Sequence, residues 1–293
     1  MPLPTKSPPR KWLGAWVMLV ASAVHLLLVG PVEAEMSLSL VNSREIAEPS
    51  IGFTEPSGLS AADEGGFWSV SDNVTRLFRL DHKGKPGKRD DLSGEPQLEG
   101  IAEDLPRQRL LMVREDTTEI LSLAPDGTLT RFRLLTLPGA EGLVAHFQAD
   151  ENNGLEGITV DPETGAVLII KERWPRLLIE LAPDLSRVVR IQELSAAMGF
   201  VSAAAQDDKL DLSGLAWDAW RKGVWITSDT GQAVFFLDLS SMTARGWALM
   251  DAGKKKLHPV SNAEGVALSL DGDFLHVITD DGKKSRLLTY RID

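Results

Sequence analysis

The 293-residue chain reads as an all-β protein: a single β-propeller of four-stranded blades, five in number, closed into a ring by an N-terminal strand. Two observations predict this. One short phrase recurs five times: Pro56-Ser57-Gly58-Leu59-Ser60, Leu98-Glu99-Gly100-Ile101-Ala102, Leu155-Glu156-Gly157-Ile158-Thr159, Leu212-Ser213-Gly214-Leu215-Ala216 and Ala263-Glu264-Gly265-Val266-Ala267. Its glycines are 42, 57, 57 and 51 residues apart. An acidic residue keeps step with the phrase, 14 or 15 positions after each glycine and at the end of a mostly apolar run: Asp72, Glu115, Glu172, Asp229 and Asp280.

The segment from Met1 to Ala34 stands outside the repeats. Lys6, Arg10 and Lys11 form a basic start, Trp12 to Gly30 is almost wholly apolar, and Val32 and Ala34 are the small residues of a cleavage site. This is the pattern of a cleavable export signal ending at Ala34. An uncleaved anchor is the alternative, because the run from Trp12 to Gly30 can nearly span a bilayer. Residues 35–293 then form the propeller domain. Met36 to Ile46 alternates like a strand (Leu38, Leu40) and precedes the first repeat.

The third repeat shows the anatomy of one blade. Glu156 to Val160 is a short strand, Asp161-Pro162-Glu163-Thr164-Gly165 is turn chemistry, and Ala166 to Lys171 is an apolar strand covered on both faces. Leu177 to Leu181 and Arg187 to Glu193 supply strands three and four. The fourth repeat repeats the series through Val224–Ser228, Val234–Asp238 and Arg245–Leu249. The fifth runs out after three strands, at Arg286 to Ile292, so the N-terminal strand completes it and removes the exposed edges of an open array. A six-bladed ring is the alternative, because the segments 139–153 and 195–211 are long enough to hold a further element.

Composition narrows the function. The net charge is −11, and −13 without the leader, which argues against a nucleic-acid partner because the phosphate backbone requires a basic stripe. With no cysteine there is no disulfide, thiolate metal site or cysteine nucleophile, nor a lipidated N-terminus. No Gly-x-Ser-x-Gly, P-loop, His-Glu-x-x-His or Gly-x-Gly-x-x-Gly motif occurs. An exported, acidic, cysteine-free chain belongs in a bacterial periplasm or at the inner membrane, where its membrane contact is limited to the N-terminal segment if that is retained. A monomer is expected.

Within the phrase, the glycine answers to crowding of the innermost strands round the axis. The residue before it (Ser57, Glu99, Glu156, Ser213, Glu264) repeats around the channel. Glu99, Glu156 and Glu264 therefore converge, and clustered carboxylates either share protons or hold a cation. Hard oxygen ligands select Ca²⁺ or Mg²⁺. The alternative is that each glutamate bonds backbone amides of the next blade and locks the ring. The second acidic set, Asp72, Glu115, Glu172, Asp229 and Asp280, lies at strand ends around the channel mouth. Arg114, Lys171 and Arg173 stand beside it and suit a small anionic ligand; blade-to-blade ion pairs and turn caps are the other reading. Trp68 and Trp225 share one position in their blades and read as inter-blade core.

These residues together resemble the SdiA-regulated family, the YjiK-like proteins of the bacterial envelope. The likeness covers about Pro49 to Asp293 and is most specific over Asn153–Lys171, with Lys171-Glu172 and Ser228-Asp229 in step. It implies a β-propeller able to bind Ca²⁺, with no established reaction and with Glu99, Glu156 and Glu264 on the metal side. Ser57 and Ser213 depart from glutamate, so the carboxylate ring is incomplete. A fainter likeness to phytase-like esterase and gluconolactonase propellers is one of fold, which does not fix chemistry. Three functions follow: a Ca²⁺-stabilised binding or scaffold module, favoured by the missing nucleophile motif; a metal-dependent phosphoesterase or lactonase; or a hub whose envelope-protein partner sits at the channel mouth.

Overall fold

The computed structural model describes Met1 and residues 36–92, 97–147, 154–253 and 256–293, with 88–91 as backbone alone. The chain divides into Met1–Glu35 and Met36–Asp293. The export-signal segment falls outside the described residues. No helix among the described residues is long and apolar enough to cross a membrane.

Residues 36–293 fold as five four-stranded antiparallel sheets. Their innermost strands are Pro56–Ala61, Leu98–Asp104, Leu155–Val160, Leu215–Asp218 and Ala263–Leu268. Each packs against the innermost strands of both neighbouring blades, the fifth against the first, so the ring is closed. Closure falls to Leu38–Glu45, which pairs antiparallel with Arg286–Ile292 as the outer strand of the fifth blade. The five-bladed arrangement is therefore the one adopted. Residues 195–211 carry only two short 3-10 turns, and the described part of 139–153 a single helical turn. One short extra hairpin, Met250–Ala252 with Leu257–Pro259, lies between blades four and five.

The repeated glycines are where the ring is tightest. A Cβ on Gly58 would stand 2.7 Å from the carbonyl oxygen of Glu99, on Gly157 2.6 Å from the amide of Leu215, and on Gly265 2.7 Å from the amide of Leu59. Gly100 and Gly214 meet the Glu156 and Glu264 carbonyls in the same way. Each glycine thus lies against the backbone of the next blade, and no side chain fits there.

The hydrophobic core is distributed over the five blade interfaces. Second and third strands supply most of it: Leu111, Val113 and Ile179 between blades two and three, Val224 and Phe235 between three and four, Trp225 and Val277 between four and five. Trp225 lies, as expected, wholly in this core. The connections between blades contribute as well. Residues 134–147 push Leu134, Ala140 and Leu143 into one interface, and 194–212 push Leu194, Phe200 and Leu210 into the next. Buried Arg176 ties the second of these down through the carbonyls of Leu194 (3.1 Å) and Leu210 (3.0 Å) and the Asp207 carboxylate (2.6 Å).

Candidate functional site: an acidic channel mouth

In four of the five blades the residue before the glycine is turned out of the sheet by a local slip in pairing. Register shifts fall between Pro56 and Gly58, Leu98 and Gly100, Leu155 and Ile158, and Ala263 and Val266. Ser57, Glu99, Glu156 and Glu264 sit within these bulges, and a bulge re-aims its side chain. All four line one cavity of about 230 Å³, together with Asp72, Glu115, Glu172, Arg173 and Asp280. Among the described residues, seven carboxylates thus line the cavity with one guanidinium. At the glycine ring the channel closes to about 10 Å³. Beyond it opens a second funnel of about 90 Å³, lined by Leu59, Ile158 and Val266 among others, with Ser60, Thr159 and Trp217, and by no charged residue among those described.

Serine and glutamate behave differently at the shared position. Ser57 Oγ donates to the Leu98 carbonyl (2.5 Å) and Ser213 Oγ to the Ala263 carbonyl (2.6 Å), so the serines are the inter-blade locks. Among the described residues nothing donates a hydrogen bond to the carboxylates of Glu99, Glu156 or Glu264. Glu156 is only 8 % exposed. A buried carboxylate without a donor is costly unless it is protonated or meets a cation.

Three of these groups converge most closely: single carboxylate oxygens of Glu115, Glu156 and Glu172 all lie within 4.8 Å of one another. The reason is local. Gly154 stands two residues before Glu156, and a Cβ there would come within 2.9 Å of the Glu115 Cα, so its bareness admits the end of blade two. The Glu172 amide donates to the Gly154 carbonyl (3.2 Å), fixing the other side. Ligands 2.3–2.6 Å from a Ca²⁺ ion stand up to about 5 Å apart, so the spread fits that ion. The tightest trio therefore takes one ring glutamate and two strand-end acids, whereas Glu99 and Glu264 line the same cavity outside it.

The remaining predicted residues are placed as follows. Asp72 and Asp280 line the cavity, and Asp72 Oδ1 is buried with no hydrogen-bond partner. Asp229 lies outside the lining, where its carboxylate accepts from the Asn262 amide. Arg114 is engaged by Asp116 (2.7 Å) and Glu119 (3.7 Å), a turn-level ion pair. Lys171 is fully buried, with Nζ donating to the Arg173 carbonyl (2.9 Å) and stacked on Phe147. The cation that does line the cavity is Arg173, paired with Glu172 at 3.1 Å.

Electrostatics follow from this crowding. Burial, then repulsion from Asp72 and Glu115, pushes Glu99 up to about 8. Burial likewise pushes Glu172 up to about 8 against the opposing pull of Arg173. Glu156 and Glu264 are raised well above the ordinary range by burial and then by neighbouring acids. Asp280 rises to about 6, and Asp72 and Asp229 rise for the same first cause. The metal-free mouth therefore keeps protons at neutral pH, which a bound cation would displace.

Two acids of the neighbourhood escape a reading of the repeats. Asp211 is buried, accepts from Ser228 Oγ (2.7 Å) and the Thr230 amide (3.1 Å), and raises Glu172, Asp229 and Glu264. Glu55 raises Asp72 and Asp280. Both stand two residues before a ring serine (Glu55 before Ser57, Asp211 before Ser213), where the glutamate repeats have Gln97, Gly154 and Asn262. The acid is displaced by two positions and stays in the neighbourhood. That displacement is the signal that finds them.

Residues 49–279 match the SdiA-regulated family. The chain belongs to that family. As an SdiA-regulated protein it is also similar in fold to solved structures: the match to glutaminyl cyclase from Myxococcus xanthus, at TM-score 0.55 and 14% identity, covers 87% of this chain and 96% of that one. A chain of a nidogen–laminin complex gives TM-score 0.52 at 16% identity, covering 84% of this chain and 86% of that one. At such identities the likeness is one of architecture alone. A search of curated protein sequences returned no match.

Proposed function

We propose that this SdiA-regulated propeller is an exported envelope protein whose acidic channel mouth binds Ca²⁺, held by Glu115, Glu156 and Glu172 with Glu99 and Glu264 as further oxygen donors. The bound ion rigidifies the mouth, and the molecule serves as a binding or scaffold module. One observation carries the reading: Glu156 is buried with no donor to its carboxylate among the described residues, and lies within reach of two further carboxylate oxygens. The export pattern of Met1 to Ala34 supports the compartment, and extracytoplasmic calcium sites are commonly weak enough to be read by chelation.

A second reading rests on Arg173. As the lining cation beside Glu172, it would hold an anionic oxygen of a phosphoester or lactone, with a carboxylate activating water. Alanine at Glu156 and at Glu172 separates the two. Under hydrolysis, turnover of such substrates falls while the fold survives; under the binding reading, no turnover exists to lose.

The direct test is metal content by mass spectrometry on the purified protein, with melting curves in Ca²⁺ and in EDTA. Stoichiometric calcium and a chelator-sensitive melt are expected. No bound metal and superimposable melts would sink the calcium site.

A further inference from the structure

We propose that the outer cleft between blades one and two is a docking groove for an extended polypeptide segment that carries leucine or phenylalanine anchors beside lysine or arginine. The cleft encloses about 1030 Å³ on the outer side of the ring, and its lining runs over the turns at Asp63–Glu64 and 124–127. It is separate from the acidic mouth and does not depend on the calcium reading.

The other four interfaces show why it is open. Blades two and three are joined by the long segment 134–154, and blades three and four by the equally long 194–214. Residues 249–262 join four to five, and 46–55 join the closing strand to blade one. Each connection inserts apolar side chains into its interface: Leu134 and Leu143, Phe200 and Leu210, Leu249 and Val260, Ile46 and Phe53. Gly139 and Gly199, both at positive φ, bring two of these segments onto the outer strand of the next blade, against the Val188 and Ala244 carbonyls. Blades one and two are joined by residues 92–97 alone, and among the described residues Leu92 is the one apolar group this connection offers. The 42-residue spacing of Gly58 and Gly100, against 57 in the next two repeats, is this missing plug seen in sequence.

Equivalent residues register the gap. One cross-strand pair faces the preceding blade in every repeat: Phe67 with Leu80, Val167 with Leu181, Val224 with Leu237, Leu275 with Tyr290. These eight side chains are all buried. Their counterparts in blade two, Leu110 with Leu123, are half-exposed and line the cleft. Trp225 is sealed by Phe236 and Trp247, whereas Trp68, at the same position in blade one, is half-exposed in the cleft wall.

The occupant's chemistry follows from the plugs and from the rim. In four interfaces the filler is chain with Leu, Phe, Ile or Val anchors, so the fifth is shaped for chain of the same kind. The rim is acidic. Asp63, Glu64, Glu103 and Asp126 face Arg109, which is already bound to Asp104 at 2.7 Å. Such a rim attracts a cationic segment and disfavours an acidic one.

The probe is a fluorescein-labelled peptide of residues 134–147 of this chain carrying Glu141→Lys, titrated with the full-length protein. Saturable micromolar binding is expected, weakening at least about fivefold in 0.5 M salt and about fivefold in the Glu64→Lys/Asp126→Lys variant. Both substituted residues are exposed, so the melting temperature should stay put. A second variant replaces 93–96 by residues 134–147; filling the cleft should abolish binding and raise the melting temperature. No saturation up to 1 mM overturns the proposal. So does binding that is indifferent to salt and to charge reversal, or a concentration-dependent dimer that occupies the cleft with a second copy.

Discussion

The two mouths of the channel are made by the same five strands, yet one is a nest of carboxylates and the other, lined by residues such as Leu59, Ser60, Ile158, Thr159 and Trp217, has no charged side chain among the described residues. The change of character occurs over one residue, the ring glycine, which has a polar or acidic neighbour before it and an apolar one after it. The uncharged mouth obeys the ordinary economy of a fold: buried hydrocarbon behind it and close packing. The acidic mouth opposes it, gathering like charges where burial penalises each one. Features that cost stability while the rest of the repeat is regular mark the candidate functional end of the ring.

The comparison breaks first at the boundary. Valine at Gly157 or Gly214 forces a side chain into the neighbouring backbone, and the soluble folded protein should be lost altogether, read by circular dichroism and expression yield. Next comes the uncharged side. Ile158→Ala should lower stability by about 2–5 kcal/mol, a fall in Tm of roughly 5–15 °C for a domain of this size, with calcium response intact. The acidic side should behave inversely. Glu156→Gln keeps the neutral shape of the protonated carboxyl, so metal-free Tm holds, while the calcium-dependent gain, about 2.7 kcal/mol at a hundredfold excess over Kd, disappears. If Glu156→Gln instead unfolds the protein, the glutamate is structural and the contrast between the mouths fails.

Acidity sharpens the comparison further. Glu99 and Glu172 have folded-state values near 8, above their unfolded value, so the native state binds more protons than the unfolded chain between those limits. Metal-free stability should therefore fall as pH rises from about 5 to about 8, and saturating Ca²⁺ should flatten the slope. A smaller effect of opposite sign belongs to the core. His276 is packed edge-on against Phe67, and burial depresses it to about 4. Its neutral form is favoured by folding, so that contribution is present above about 6.5 and is lost as pH falls toward 4. His276→Gln should remove the acid-side loss in a thermal-melt series.

Much of this was legible in the residues. The five phrases placed the innermost strands, and Leu177–Leu181 and Arg286–Ile292 were read with their observed limits. Closure by the N-terminal strand followed from a count of strands. The repeat also placed Glu99, Glu156, Glu264, Glu115, Glu172, Asp72 and Asp280 at one mouth. It did not reveal which three would come within 4.8 Å of one another, because that depends on Gly154 admitting Glu115 from the preceding blade. Nor did it separate Arg173 from Lys171 and Arg114, since which cation faces a cavity is decided by loop carbonyls and local ion pairs. Asp211 and Glu55 were hidden by the assumption that the acid keeps one register. The open interface was present in the 42-residue spacing, but its meaning needed the plugs of the other four for comparison.

The central claim, that the carboxylate mouth is a cation site, is tested most directly by titrating Ca²⁺ into the metal-free protein by calorimetry at pH 7. Two buffers of different ionisation enthalpy count the protons. The account predicts saturable binding with net proton release from the raised glutamates, both abolished by Glu156→Gln. Absence of binding, or binding that releases no protons and survives Glu156→Gln, would contradict it.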